Sequence, residues 1–222
     1  MTDGAILQCH DRMARPHTIL QSKFPYNIGG RCINQDWFAI PMETVWQIMS
    51  EQLHFIHGAF GVKIHSFVLM SNHFHLLMST PRSNLSSAME WFMRETSRDL
   101  TRAGNRINQT YGGSHYRSIL GSNHYFLNAY KYNYYNPVKA RICSDVLRYP
   151  YSTLAGKLGL SKMLIPVDDD LTLFSDVEGT LSWLNRPPNE KMWKAMGLAL
   201  HRKEFKLSKV NGKPHPLETD AL

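Results

Sequence analysis

The sequence predicts an α+β protein built on a β-α-β-β-α-β core, a ferredoxin-like antiparallel sheet with its two helices on one face. Three observations predict it. Two apolar runs, "GVKIHSFVLM" (61–70) and "NHFHLLMST" (72–80), meet so tightly at Ser71-Asn72 that they read as antiparallel neighbours. A stretch with helical spacing stands on either side of that pair. Outside each helix lies one more strand-like segment, which completes the order.

The first strand is "KFPYNIGGRCIN" (23–34), with a Gly-Gly bend. Pro41 opens the first helix, where Met42, Val45, Trp46, Met49, Leu53 and Ile56 recur at helical spacing. "PRSN" (81–84) ends the hairpin and supplies Ser and Asn caps to a second helix marked by Leu85, Met89, Phe92, Thr96 and Leu100. After Gly112-Gly113 a fourth strand fits "HYRSILG" (115–121). A third helix follows in "SNHYFLNAYKYNYYNPVKA" (122–140), and Pro137, lacking a backbone donor, is expected to limit it at about Asn136.

Five tyrosines, at 125, 130, 132, 134 and 135, crowd that helix. A turn of about 100° per residue cannot aim all of them at one place. Tyr132 and Asn136, four apart, share a face, with Tyr125 and Asn128 behind them. Tyr130 and Tyr134 point elsewhere and read as packing or as platforms for stacked bases, a role also open to Tyr125.

With 43% hydrophobic residues, the 222-residue chain has ample material for a core. No apolar run is long enough to span a bilayer, and the N-terminus lacks a signal-peptide pattern, so a cytoplasmic protein with no membrane partner is expected. Cys9, Cys32 and Cys143 are odd in number and scattered, which excludes a disulfide framework or a Cys-x-x-Cys knuckle. Twenty-five Lys and Arg against 18 Asp and Glu leave +7, a surplus that suits a polyanion such as nucleic acid. The organisation expected is a leader at 1–22 that is a candidate for disorder, a core domain at 23–155 and a mostly helical, basic extension at 156–222.

In "HFHLL" (73–77), His73 and His75 point the same way and Phe74 the other. Two imidazoles side by side suit a metal, and equally a solvated or hydrogen-bonded histidine pair. Asp168-Asp169-Asp170 reads as a solvated capping cluster rather than a second metal site.

"VLMSNHFHLLMSTP", then "YNYYNPVKA", then "YPYSTL", together resemble the REP-associated tyrosine transposases, the RAYT branch of the HUH single-tyrosine transposases, over about residues 23–155. The resemblance implies that His73, His75 and Asn136 bind one divalent metal ion, Mg or Mn, and that Tyr132 is the nucleophile. It further implies a single-strand DNA endonuclease and strand transferase acting beside DNA hairpins through a 5′-phosphotyrosine. The alternative is a catalytically silent relative that binds hairpin DNA or RNA as a regulator. The partners expected are single-stranded DNA and REP-like hairpins, for a monomer or homodimer associated with the nucleoid. The chain departs from the family pattern at Asn27, where His is common, at Ser71 (Pro), at Arg141 (Gly) and at Tyr151 (Trp).

For DNA contacts, Arg94, Arg98 and Arg102 form a stripe on the second helix, which is either a phosphate track or a solvated face. Lys131 and Lys139 on the third helix, and Arg202 and Lys203 in the basic stretch 201–215, are the other candidates; that stretch reads either as a DNA clamp or as a solvated tail.

Overall fold

A computed structural model describes residues 19–168 and 171–218. Strands β1 (Tyr26–Arg31), β2 (Lys63–Leu69), β3 (His73–Ser79) and β4 (Tyr116–Ile119) form one sheet in the order β2-β3-β1-β4, with every neighbouring pair antiparallel. Helix α1 (Met42–Phe60) links β1 to β2, and α2 (Leu85–Ala103) links β3 to β4. That is the expected core.

Strand alternation sorts the sheet into two faces. Ile28, Phe67, Leu69, Phe74, Leu76 and Met78 point to one side, where they pack with Val45, Met49, Leu53 and Ile56 of α1 and Met89 and Phe92 of α2. The spacing of those helical residues places them on a single stripe, so each helix buries one face against the sheet. Gly61 ends α1 in the left-handed region at φ 65°, and its N–H donates to the His57 carbonyl at 3.0 Å.

The other face carries Val68 and Leu77 and is covered by α3 (Asn123–Lys139). The Ser122 side chain caps α3 by accepting from the Tyr125 N–H. The helix does not stop at Asn136: Pro137 lies within it, because a proline in the last turn deletes one backbone bond without blocking the residues that follow. Arg141, just past the Ala140 cap, sits at φ 59°. This is the left-handed position that glycine favours.

The C-terminal residues also close over this face. After the single turns α4 (Leu154–Lys157) and α5 (Leu171–Phe174) come α6 (Val177–Asn185) and α7 (Glu190–Leu200), with Pro187-Pro188 between them as the sequence suggests. Leu184, Met196 and Leu200 join Tyr130 and Tyr134 in a second core cluster. Basic residues 201–215 do not form a loose tail. Phe205 and Leu207 are buried, and the backbone of 203–205 pairs with Ile119 at the outer edge of β4. Residues 19–22 are likewise tied down, since the Tyr26 hydroxyl donates to the Ile19 carbonyl at 3.1 Å and Gln21 brackets Phe24; residues 1–18 of the expected leader lie outside the described residues. Among the described residues no helix is long and apolar enough to cross a membrane.

Candidate active site

The register places the site at one end of the sheet. His73 is opposite Arg31, and His75 is opposite Gly29, which in turn faces Tyr116 of β4. All of these point to the α3 side. The two imidazole rings lie 5.0 Å apart, and the Tyr132 ring reaches over from α3 to 6.0 Å from His75, so three of the four residues singled out in the sequence meet.

Asn136 stands one turn further along α3, and its Nδ2 donates to the Tyr132 carbonyl at 2.8 Å. That bond leaves the amide oxygen as the atom of Asn136 able to ligate a metal. Among the described residues no three His, Cys, Asp or Glu side chains gather at one point.

The imidazoles are prepared as neutral bases. Asn72 fixes one of them: its Nδ2 donates to the Gln35 carbonyl at 2.7 Å, which turns its Oδ1 toward His73 Nδ1, also at 2.7 Å. An amide oxygen only accepts, so Nδ1 carries the proton and Nε2 keeps a lone pair. Burial, aided by the Arg31 guanidinium, pushes His73 down to about 4. His75 is 5% exposed and is pushed well below its usual range by burial, with His73, Arg31 and His201 adding to it. Its Nδ1 lies 3.5 Å from the Tyr116 hydroxyl, and its Nε2 is buried without a hydrogen-bond partner. Such an orphaned ring nitrogen beside a second oriented imidazole fits a divalent metal, which binds neutral imidazole.

Tyr132 is held between layers. Its ring stacks on Trp193 of α7 at 4.3 Å and 24°, and a Cβ built on Gly197 would come within 3.2 Å of its hydroxyl. Burial raises the phenol above its ordinary value, and Arg31 acts in the opposite direction. Arg31 is exposed at the end of β1 and, among the described residues, is the one positive charge acting on His73, His75, Tyr116 and Tyr132 alike.

Sequence reasoning missed Arg31, Asn72, Tyr116, Trp193 and His201. The alternation of β1 against β3 could have pointed to Arg31, and Asn72 is the sequence neighbour of His73; Tyr116, Trp193 and His201 arrive through tertiary contacts. Asn27, where the family pattern has His, is fully buried and accepts from Asn133 Nδ2 at 3.0 Å, which ties β1 to α3.

The expected DNA contacts fare unevenly. Lys131 is corrected: it is fully buried, its ammonium lies over the Trp183 ring, and burial lowers it to about 8. Lys139 pairs with Glu190. Arg94, Arg98 and Arg102 are exposed but laddered with Glu95 and Asp99, at 2.8 Å for Arg94–Glu95 and 2.5 Å for Arg98–Glu95. Arg202 bonds the Lys206 carbonyl and Ser208, while Lys203 stands exposed beside β4. Tyr130 and Tyr134 are buried packing residues, not base platforms. Tyr125 is engaged too, donating to Glu218 at 2.5 Å with its ring against Phe205. Asp168 pairs with Lys63 at 3.4 Å, and Asp169 and Asp170 lie outside the described residues.

Residues 39–138, somewhat under half of the chain, match the family model described as "Transposase IS200 like". That segment runs from the start of α1 through Tyr132 and Asn136. Among solved structures, that of the REP-associated tyrosine transposase bound to a REP hairpin superposes with a TM-score of 0.56 at 17% identity, covering 71% of this chain and 93% of that one. It shares the fold. A crystal structure of a candidate transposase from Deinococcus radiodurans R1 aligns more loosely, with a TM-score of 0.38 and 15% identity over 54% of this chain and 95% of that one. No curated protein matches the chain.

Proposed function

We propose that the chain is a metal-dependent single-strand DNA endonuclease and strand transferase that acts beside DNA hairpins. The observation that carries this reading is the Tyr132 ring set 6.0 Å from the buried His75, whose neighbour His73 is oriented by Asn72. A hydrogen-bonded core histidine pair has no use for a tyrosine delivered from a separate element. His73, His75 and the Asn136 amide oxygen would hold one divalent ion, Mg or Mn, which when bound neutralises phosphate charge and leaves phosphorus open to attack.

Tyr132 supplies the nucleophile. Its oxygen forms the bond to phosphorus while the bond to the 3′ oxygen breaks and that oxygen takes a proton, leaving a 5′-phosphotyrosine and a free 3′-OH. Reversal by another 3′-OH rejoins strands without a nucleotide cofactor. The phenol must lose its proton, and Arg31 is the neighbour that favours the phenolate against burial. The α7 residues Trp193 and Gly197 set the ring's orientation.

A hairpin beside an unpaired strand suits this site, because an unpaired backbone bends freely into line with an attacking oxygen and a stacked duplex does not. Labelled hairpin DNA with a single-stranded flank should be cut in the flank in Mg or Mn, and the same sequence as a perfect duplex should stay intact. Efficient cutting of the duplex would sink the substrate class. One observation favours the second reading, a silent hairpin-binding regulator: Trp193 lies flat on Tyr132. Hairpin binding with no cutting in either metal would decide for that reading.

A further inference from the structure

A groove of about 950 Å³ runs from the open edge of the sheet to α2, and nothing in the reading above uses it. Arg94 and Met93 line it from α2, Arg117 and Tyr116 from β4, and His201 and Lys203 from the C-terminal segment. Its charge is one-sided. Three Arg or Lys side chains meet one carboxylate, Glu90, while burial and Arg117 hold His115 down to about 4 and hence neutral.

The groove adjoins the active site through Tyr116. Tyr116 belongs to both: its ring fills the space over Gly29, its hydroxyl is 3.5 Å from His75, and its other side lies 4.7 Å from the His201 ring. A strand whose phosphate reaches the histidine pair therefore passes Tyr116 and His201 and continues around the edge of β4 toward Arg117 and Arg94. The walls suit that strand. Met93 and the aromatic rings offer apolar surface to base faces, and the separated cations match a phosphate backbone rather than one compact anion.

We propose that this groove holds the single-stranded DNA flank next to the scissile phosphate, with Arg94, Arg117 and Lys203 as phosphate contacts. The proposal rests on the endonuclease reading above and adds the path of the strand. It also separates Arg94 from Arg98 and Arg102, which do not line the groove.

Fluorescence anisotropy on the full chain tests it with two probes, a hairpin carrying a single-stranded DNA flank and the same hairpin with a blunt end. Replacing Arg94 and Arg117 by Gln should weaken the flanked probe by about tenfold or more, flatten its salt dependence by about 1.4 in log–log slope, and leave the blunt probe unchanged. A second variant, R94Q with K203Q, should repeat the pattern if loss of Arg117 disturbs β4, and R98Q with R102Q should change neither probe. Equal weakening of both probes would assign the groove to the duplex stem, and no weakening would make it a solvated surface. Either result overturns the proposal. Failure of the wild-type chain to bind either probe would instead remove the DNA reading itself, and the groove's role with it.

Discussion

Gly29 is a glycine because Tyr116 occupies the place of its side chain: a Cβ there would lie 2.0 Å from the tyrosine ring. Rigid ring atoms on the neighbouring strand have little room to retreat, so Gly29→Ala should cost about 1–3 kcal/mol of stability, read as a lower urea midpoint. An unchanged midpoint would mean that Tyr116 is not seated over β1. The sequence shows Gly29-Gly30 as a bend, but nothing in it shows which ring lies above, since that depends on the pairing of β1 with β4 across most of the core. His73 and His75 were legible for the opposite reason. Their common direction follows from the period of a strand and needs no partner. Asn72 stands next to them in sequence, yet its part in orienting His73 depends on the Gln35 carbonyl, brought in from the loop after β1.

At the scale of elements, α1 and α2 were readable because each has one apolar face against one sheet. Helix α3 was not. It is covered by the sheet on one side and by α6 and α7 on the other, so Asn128, Lys131 and Asn133 are buried alongside its tyrosines and no single stripe emerges. Its end was misplaced at Asn136 because proline was weighed as a stop, and the actual stop is the left-handed residue Arg141. A non-glycine residue with a β-carbon is strained there, while glycine is at ease. Arg141→Gly should therefore raise stability by about 1 kcal/mol, measured by thermal unfolding. An equal or lower melting temperature would show that the arginine side chain makes contacts outweighing that strain.

For the whole molecule, the sheet is a central layer whose two faces do different work. One is a plain hydrophobic core with α1 and α2. The other carries the histidine pair, and α3 lays Tyr132 upon it under a cover made by the C-terminal residues. Residues 156–222 were the least readable part because short helices split by Pro187-Pro188 show no pattern until the surface they cover is known. The central claim is that Tyr132 is the group that attacks DNA, and Tyr132→Phe tests it most directly because it removes one oxygen and little volume. Incubated in Mn or Mg with flanked hairpin DNA labelled at its 3′ end and separated under denaturing conditions, the wild-type chain should carry the labelled downstream fragment covalently through its 5′ phosphate, while Tyr132→Phe binds the hairpin with undiminished affinity and carries no label. An adduct of equal yield on Tyr132→Phe would place the chemistry on another residue and contradict the account.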